Sequence, residues 1–263
     1  MSRKLRFRKV FEALKPHRYV LVGIAAYSVI FSWYSVYKHY AYETYAWDLG
    51  IFCQALWTTA FEGKLFYYTP ELYANPSGSF LAWHPSLLMF FLAGLYRLIP
   101  RPEFLLILQS ILLALGAVPI YLIARERLGE KASYFLTICY FLYSPLHGVN
   151  AYDFHLEAFV PLFFGLSFYE WMRDKYWRAL LWACLVMASA SEFCFLIVCL
   201  SLYWLVKKAI EGHLWKEPLR KMREKSMWFP VLVLLICVTW YSVAASMATA
   251  IRGTAWEIPT HFK

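Results

Sequence analysis

Charge is scarce in this chain. Only 16% of its 263 residues are Asp, Glu, Lys or Arg, and 17 are acidic, while 61% are hydrophobic and mean hydropathy is +0.47. A soluble domain carries about a quarter charged residues, so that class is excluded and an integral membrane protein is indicated. Ordered cysteine spacing is missing too. The six cysteines form no CxxC or Cys/His pattern, which argues against a disulfide framework or a zinc site. Five of them lie inside apolar runs and read as buried, inert thiols. Internal repeats, low-complexity stretches and soluble linkers are also lacking, so residues 1–263 are read as one membrane domain.

What charge there is has a sign. The formal net charge is +9. Such an excess in a soluble protein would suggest nucleic acid, but here Lys and Arg sit between apolar runs, with no aromatic–basic stacking surface. They read as topology signals facing anionic lipid, and nucleic acid is not expected as a partner.

Apolar runs occupy residues 19–37, 84–98, 104–124, 132–147, 156–172, 179–206 and 227–248. The first is longer than a signal-peptide core and lacks a small-x-small cleavage site, so it is expected to be retained. A helix needs about 20 residues to cross the hydrocarbon core. Run 84–98 is too short and is bounded by proline. Run 179–206 is too long for one helix and carries Glu192 near its middle, which suggests two helices meeting at a polar tip.

The distribution of basic residues decides between topologies. If 84–98 stays on one side and 179–206 folds back at Glu192, seven Lys/Arg before residue 19, three in 125–131, three in 173–178 and seven in 207–225 share the cytoplasmic side, 20 of the 26. The expected fold is therefore all-α: a polytopic bundle of about seven transmembrane helices in the cell membrane, N-terminus cytoplasmic and C-terminus outside. Residues 1–18 form a basic cytoplasmic segment, 38–103 a long first outer loop, and 104–248 the helix bundle. Within that loop Leu49, Phe52, Cys53, Leu56, Trp57 and Ala60 follow helical spacing, as in an interfacial amphipathic helix, with Gln54, Thr58 and Thr59 on another face. Tyr37, Tyr40, Tyr42, Tyr45, Tyr67, Tyr68 and Tyr73 suit an aromatic belt.

This topology gathers Asp48, His84, Asp153, His155, Glu157 and Glu192 on the outer side. Asp48 is either the N-cap of the interfacial helix or a carboxylate at the mouth of a cleft, acting as base or metal ligand. His84, before Pro85, either starts a helix or binds phosphate or metal. Asp153 and His155 can share a cation if the chain is extended there, whereas a helix would set Asp153 and Glu157 on one face. Glu192 is either an exposed hairpin tip or a carboxylate facing a cavity, since a lone acid in lipid is costly. Lys64, Arg97 and Arg101 run against the charge bias. They either offset the charge of a bound phosphate or, for the two arginines, anchor at the interface.

The segments Asp48-Leu-Gly-Ile-Phe, Gln54-Ala-Leu-Trp57, His84-Pro-Ser-Leu-Leu and Asp153-Phe-His155 resemble the GT-C superfamily of membrane glycosyltransferases. More narrowly they resemble the prokaryotic membrane family named domain of unknown function 2079, over about residues 15–210. The resemblance implies inverting transfer of a sugar from a polyprenyl-phosphate-linked donor at the extracytoplasmic face. Asp48 and Asp153 would be catalytic, with Asp48 as base. His84, Glu192, Arg97 and Lys64 would bind substrate, and Asp153 with His155 would position a divalent metal (Mg or Mn) or the lipid phosphate. The chain departs from the family pattern at Cys53 and Phe193, where acids are expected. GT-C proteins also have more crossings, which implies a minimal form, one half of a split enzyme whose partner subunit supplies a carboxyl-terminal half, or a degenerate remnant. Two other classes compete: a lipid or small-molecule transporter, and a non-catalytic membrane subunit.

Overall fold

The computed structural model describes residues 17–211 and 225–253, and every regular element in them is helical. α1 (Arg18–Tyr40) is a long apolar helix without proline, and it stops where Tyr42 takes a left-handed φ of 61°. A wide π-type turn, Ala46–Gly50, leads into α2 (Ile51–Glu62), which ends at Gly63 with φ 69°. Glycine closes helices this way because it meets no Cβ penalty there. A loop braced by a Tyr67–Ser79 bridge and a 3-10 turn at Phe80–Ala82 then enters α3 (Leu88–Leu98).

α4 (Pro102–Leu115) begins with proline in its first turn, where no N–H is needed, and runs through Gly116 into α5 (Ala117–Leu128). The break between them has two causes. Pro119 offers no N–H to the Leu115 carbonyl, and a β-carbon at Gly116 would collide with the Tyr140 hydroxyl and the Pro161 ring. α6 (Glu130–Phe141) and α7 (Ser144–Ala151) follow. An extended stretch and a 3-10 turn at Leu156–Phe159 enter α8 (Val160–Met172), and α9 (Tyr176–Ser189) comes next. A 3-10 turn at Ser191–Phe193 leads into α10 (Cys194–Glu211), and α11 (Lys225–Arg252) completes the described residues.

Four helical stretches are long and apolar enough to cross a membrane: Arg18–Tyr40, Pro102–Leu128, Ser191–Glu211 and Ser226–Arg252. The other three expected crossings coincide with α6, α8 and α9, of 12, 13 and 14 residues. At 1.5 Å per residue these reach about 18–21 Å, short of the ~30 Å hydrocarbon core. Length and composition alone mark four spans; α6, α8 and α9 are shorter but run between the same two ends of the molecule. Residues 84–98 contain the 11-residue α3, too short to cross, and the 179–206 run does break beside Glu192.

The chain connections sort the molecule into two ends. At one, His17 meets Tyr121 and Arg125, and Arg173 meets Glu126. At the other, Lys38 Nζ donates to the Ala151 carbonyl at 2.8 Å, Ser86 Oγ donates to the Ala188 carbonyl at 3.0 Å, and Arg252 lies over the Trp83 ring. Two buried clusters fill the interior. One joins α2, α3, α4 and the 154–159 segment around Leu56, Leu92, Leu106 and Phe154. The other joins α8 to α11 around Trp171, Trp204 and Phe229, the two indoles stacked 6.0 Å apart. Outward faces of α1 and α11 expose Val22, Ile30, Trp33, Leu235 and Val238, as lipid-facing helices do.

The apolar face of α2 is divided. Phe52 and Leu56 are buried in the first cluster, while Trp57 and Phe61 remain exposed with their rings tilted against each other. Its polar face is not a solvent face. Gln54 Oε1 accepts from Thr69, Thr58 Oγ1 donates to the Tyr67 carbonyl, and Thr59 Oγ1 accepts from the Phe66 N–H. Those side chains hold the 64–69 loop against the helix.

Candidate functional site

A cavity of about 460 Å³ opens at the end that holds Lys38, Ala151 and Trp83. Four separate segments build it: the π turn before α2, the loop before α3, the 155–157 stretch, and the α9–α10 break. Ile51, Phe52, Phe80 and Leu156 give it apolar walls. Its carboxylate and imidazole side chains are Asp48, Glu71, His84, His155, Glu157 and Glu192, and among the described residues no Lys or Arg lines it.

Asp48 projects from the π turn. It caps no backbone N–H of α2; instead Oδ2 accepts from the Tyr152 hydroxyl at 3.0 Å and Oδ1 lies 3.4 Å from His155 Nε2. The Asp48 bond pushes the Tyr152 phenol above its ordinary pKa, so Tyr152 keeps its proton and remains a donor. Asp48 and His155 side chains are 25% and 29% exposed, partly shielded yet open to the cavity.

The imidazole of His155 is held in one orientation. Nδ1 lies 2.9 Å from the main-chain oxygen of Asp153, which can only accept, so Nδ1 carries a proton. Nε2 is thereby the nitrogen that faces Asp48. With a second proton there the pair is imidazolium–carboxylate. Without it, a nitrogen lone pair and a carboxylate oxygen converge, the arrangement two cation donors adopt.

Asp153 carries the same type of side chain as Asp48 to a different end. It is 1% exposed, and Oδ2 accepts the Tyr45 N–H at 2.6 Å. Burial pushes its carboxyl above the usual carboxylate range. The expected Asp153–His155 cation pair does not form, because His155 bonds the Asp153 main chain while the carboxylate turns inward to the π turn. Asp153 is not among the residues that line the cavity. It ties the segment bearing Asp48 to the segment bearing His155. The Asp153–Glu157 helical face is likewise absent, since residues 152–155 are not helical.

His84 and Glu192 face each other across the opposite wall, with Nδ1 and Oε1 3.9 Å apart. The Ser86–Ala188 hydrogen bond holds their two segments together. Lys64 and Arg97 stand off the cavity. Lys64 pairs with Glu62 at 2.7 Å, while Arg97 donates to the Ala60 carbonyl at 2.9 Å and lies over the Phe61 ring.

Three further residues contribute to the site. Tyr152 donates its hydroxyl to Asp48. Glu71 accepts from the Tyr68 hydroxyl at the cavity wall. Gln109, fully buried in α4, donates to the carbonyls of Val149, Tyr152 and Asp153 and accepts the His155 N–H at 2.8 Å. Its signal was available, as a lone amide in the otherwise apolar 104–124 run, because a buried amide must find partners.

No curated protein and no solved structure matches this chain. A family model described as predicted membrane protein (DUF2079) matches residues 38–252, a span that includes every wall of the cavity. The chain belongs to this DUF2079 family of predicted membrane proteins.

Proposed function

We propose that the protein is an inverting membrane glycosyltransferase of GT-C type that uses a polyprenyl-phosphate-linked sugar at the extracytoplasmic face. The observation that carries this reading is the Asp48–His155 pair, braced by Tyr152 and Gln109 and set in a cavity with apolar walls. The walls suit the first isoprene units of a donor, and the acidic and imidazole groups suit sugar hydroxyls. In the reaction Asp48 takes the proton of the acceptor hydroxyl, whose oxygen bonds the anomeric carbon. The bond from that carbon to the donor phosphate oxygen breaks, and the lipid phosphate leaves with its electron pair. Orientation and pKa of a base matter only once it lies within about 3 Å of the proton, and Tyr152 holds the carboxylate in place for that approach.

A phosphate beside so many carboxylates needs positive charge. His84 and His155 supply it when protonated. Where His155 is unprotonated at Nε2, Asp48 Oδ1 and His155 Nε2 would instead hold the divalent cation implied by the resemblance, Mg²⁺ or Mn²⁺. No group of three His, Cys, Asp or Glu suited to a metal occurs among the described residues. Two protein donors suit a hard cation that keeps water and phosphate in its remaining positions. Such an ion would neutralise the developing phosphate charge.

The orientation rests on charge. Arg125, Arg127, Arg173, Lys175 and Arg178 lie at the end opposite the cavity, beside His17, which supports a cytoplasmic N-terminus there. Arg252 over Trp83 supports a C-terminus on the cavity side.

The test is sugar transfer by the reconstituted protein from a polyprenyl-phosphate sugar. Asp48→Asn should lose about 100-fold or more while melting like wild type; full activity in that variant would overturn the assignment. Solute uptake that depends on Glu192, with no transfer, would replace it with transport.

A further inference from the structure

A second cavity, of about 350 Å³, lies at the end opposite the cleft, between the α8–α9 turn and the first turns of α11. Lys175 and Arg178 line it together with the indoles of Trp177 and Trp228, and buried Phe229 closes it on the bundle side. α8 and α9 hold it about 20 Å from the cleft, the length of a 13- or 14-residue helix. The site is thus separate from the glycosyl-transfer reading and goes beyond it.

Its charge is positive and accessible. Asp174 is the one acid among its lining residues, and Oδ1 is engaged by the Tyr176 hydroxyl at 2.7 Å. Arg178 stands 3.9 Å from Glu170 with its side chain 66% exposed. Lys175 makes no side-chain hydrogen bond or ion pair with any described residue. Exposed Trp177 and Trp228 beside these cations mark headgroup depth, where an indole has an apolar ring to bury and an N–H to hydrate.

We propose that this cavity binds the phosphodiester headgroup of an anionic glycerophospholipid in the leaflet on that side. Lys175 and Arg178 donate to the phosphodiester oxygens, and the two indoles pack on the glycerol and the upper acyl chains. The leaflet is the cytoplasmic one in the orientation argued above, where anionic lipid attracts juxtamembrane Lys and Arg.

Native mass spectrometry of the full-length protein, offered equimolar phosphatidylglycerol and phosphatidylcholine, tests this. Wild type should retain phosphatidylglycerol over phosphatidylcholine by about fivefold or more, the scale of one cation at an anionic surface. Lys175→Gln, which breaks no side-chain hydrogen bond or ion pair with any described residue, should weaken that preference. Lys175→Gln with Arg178→Gln should abolish it, and Lys131→Gln, an exposed lysine at the same end, should leave it intact. Equal retention of both lipids by wild type, or an unchanged preference in Lys175→Gln and the double variant, would overturn the proposal. Displacement of phosphatidylglycerol by inorganic phosphate would overturn the lipid in favour of a soluble phosphate ligand.

Discussion

His155 Nδ1 sits 2.9 Å from the main-chain oxygen of Asp153, and that contact decides which imidazole nitrogen meets Asp48. One residue, Asp153, thereby acts twice: its carbonyl orients the histidine, and its carboxylate anchors the turn carrying the aspartate.

Replacing His155 with Gln should remove the charge opposite Asp48 while keeping an amide that can reach it. Transfer should fall by about 100-fold or more, within the range for a lost acid–base group, and the melting temperature should hold. Steady-state kinetics beside a thermal melt check both parts. Wild-type kcat would remove His155 from the chemistry.

The two simplest Asp153 variants should separate. Asp153→Asn keeps an oxygen for the Tyr45 N–H and should fold; Asp153→Ala leaves that part-buried donor without its acceptor, at a cost of up to about 1–3 kcal/mol. The pH dependence has a definite sign. The folded-state pKa of Asp153 is raised by burial, so its contribution is present in full below the ordinary value near 3.9 and is lost as pH rises through the folded value. The stability gap between Asp153→Asn and wild type should therefore move in favour of the variant as pH rises from about 4, read by melts across pH 4–8.

Gln109→Leu conserves size but leaves the His155 N–H and nearby carbonyls without their amide partner. Each such buried group costs about 1–3 kcal/mol. Melting should drop clearly, and Gln109→Glu, which keeps the acceptor for His155, should recover part of any lost activity.

Tyr152→Phe removes only the hydroxyl that holds Asp48 Oδ2. A net loss of about 0.5–1.5 kcal/mol in stability or less is expected for one part-exposed hydrogen bond. Activity should fall through kcat more than KM, because the hydroxyl positions the carboxylate. A change confined to KM would instead place Tyr152 in substrate binding.

Gly116→Ala tests the bend between α4 and α5. The added carbon meets the Tyr140 hydroxyl and the Pro161 ring, and overpacking of this kind costs about 1–3 kcal/mol. Lower yield and melting temperature are expected; no change would mean that the helices separate freely there.

Asp48, His84, His155 and Glu192 were legible as ionisable groups at the ends of apolar runs, where only a cavity, water or a partner tolerates them. Lys64 and Arg97 carried the same kind of signal but found closer partners, Glu62 and the Ala60 carbonyl. Long flexible side chains take the nearest acceptor, which sequence spacing does not reveal. Gln109 leaves little mark on the sequence, because a single amide barely alters the hydropathy of its run.

The order and character of the helices follow from sequence alone. Apolar runs, prolines at helix starts, the glycine stop at Gly63 and the polar break at Glu192 are local properties of the chain. The number of helices long enough to span, the burial of α2 and the direction of each polar side chain are not. Asp48 and Asp153 are the same residue type at neighbouring helix ends, yet one lines the cavity and the other is buried against Tyr45. That difference arises from which backbone N–H groups need an acceptor once the segments are packed, and only tertiary contacts create that need.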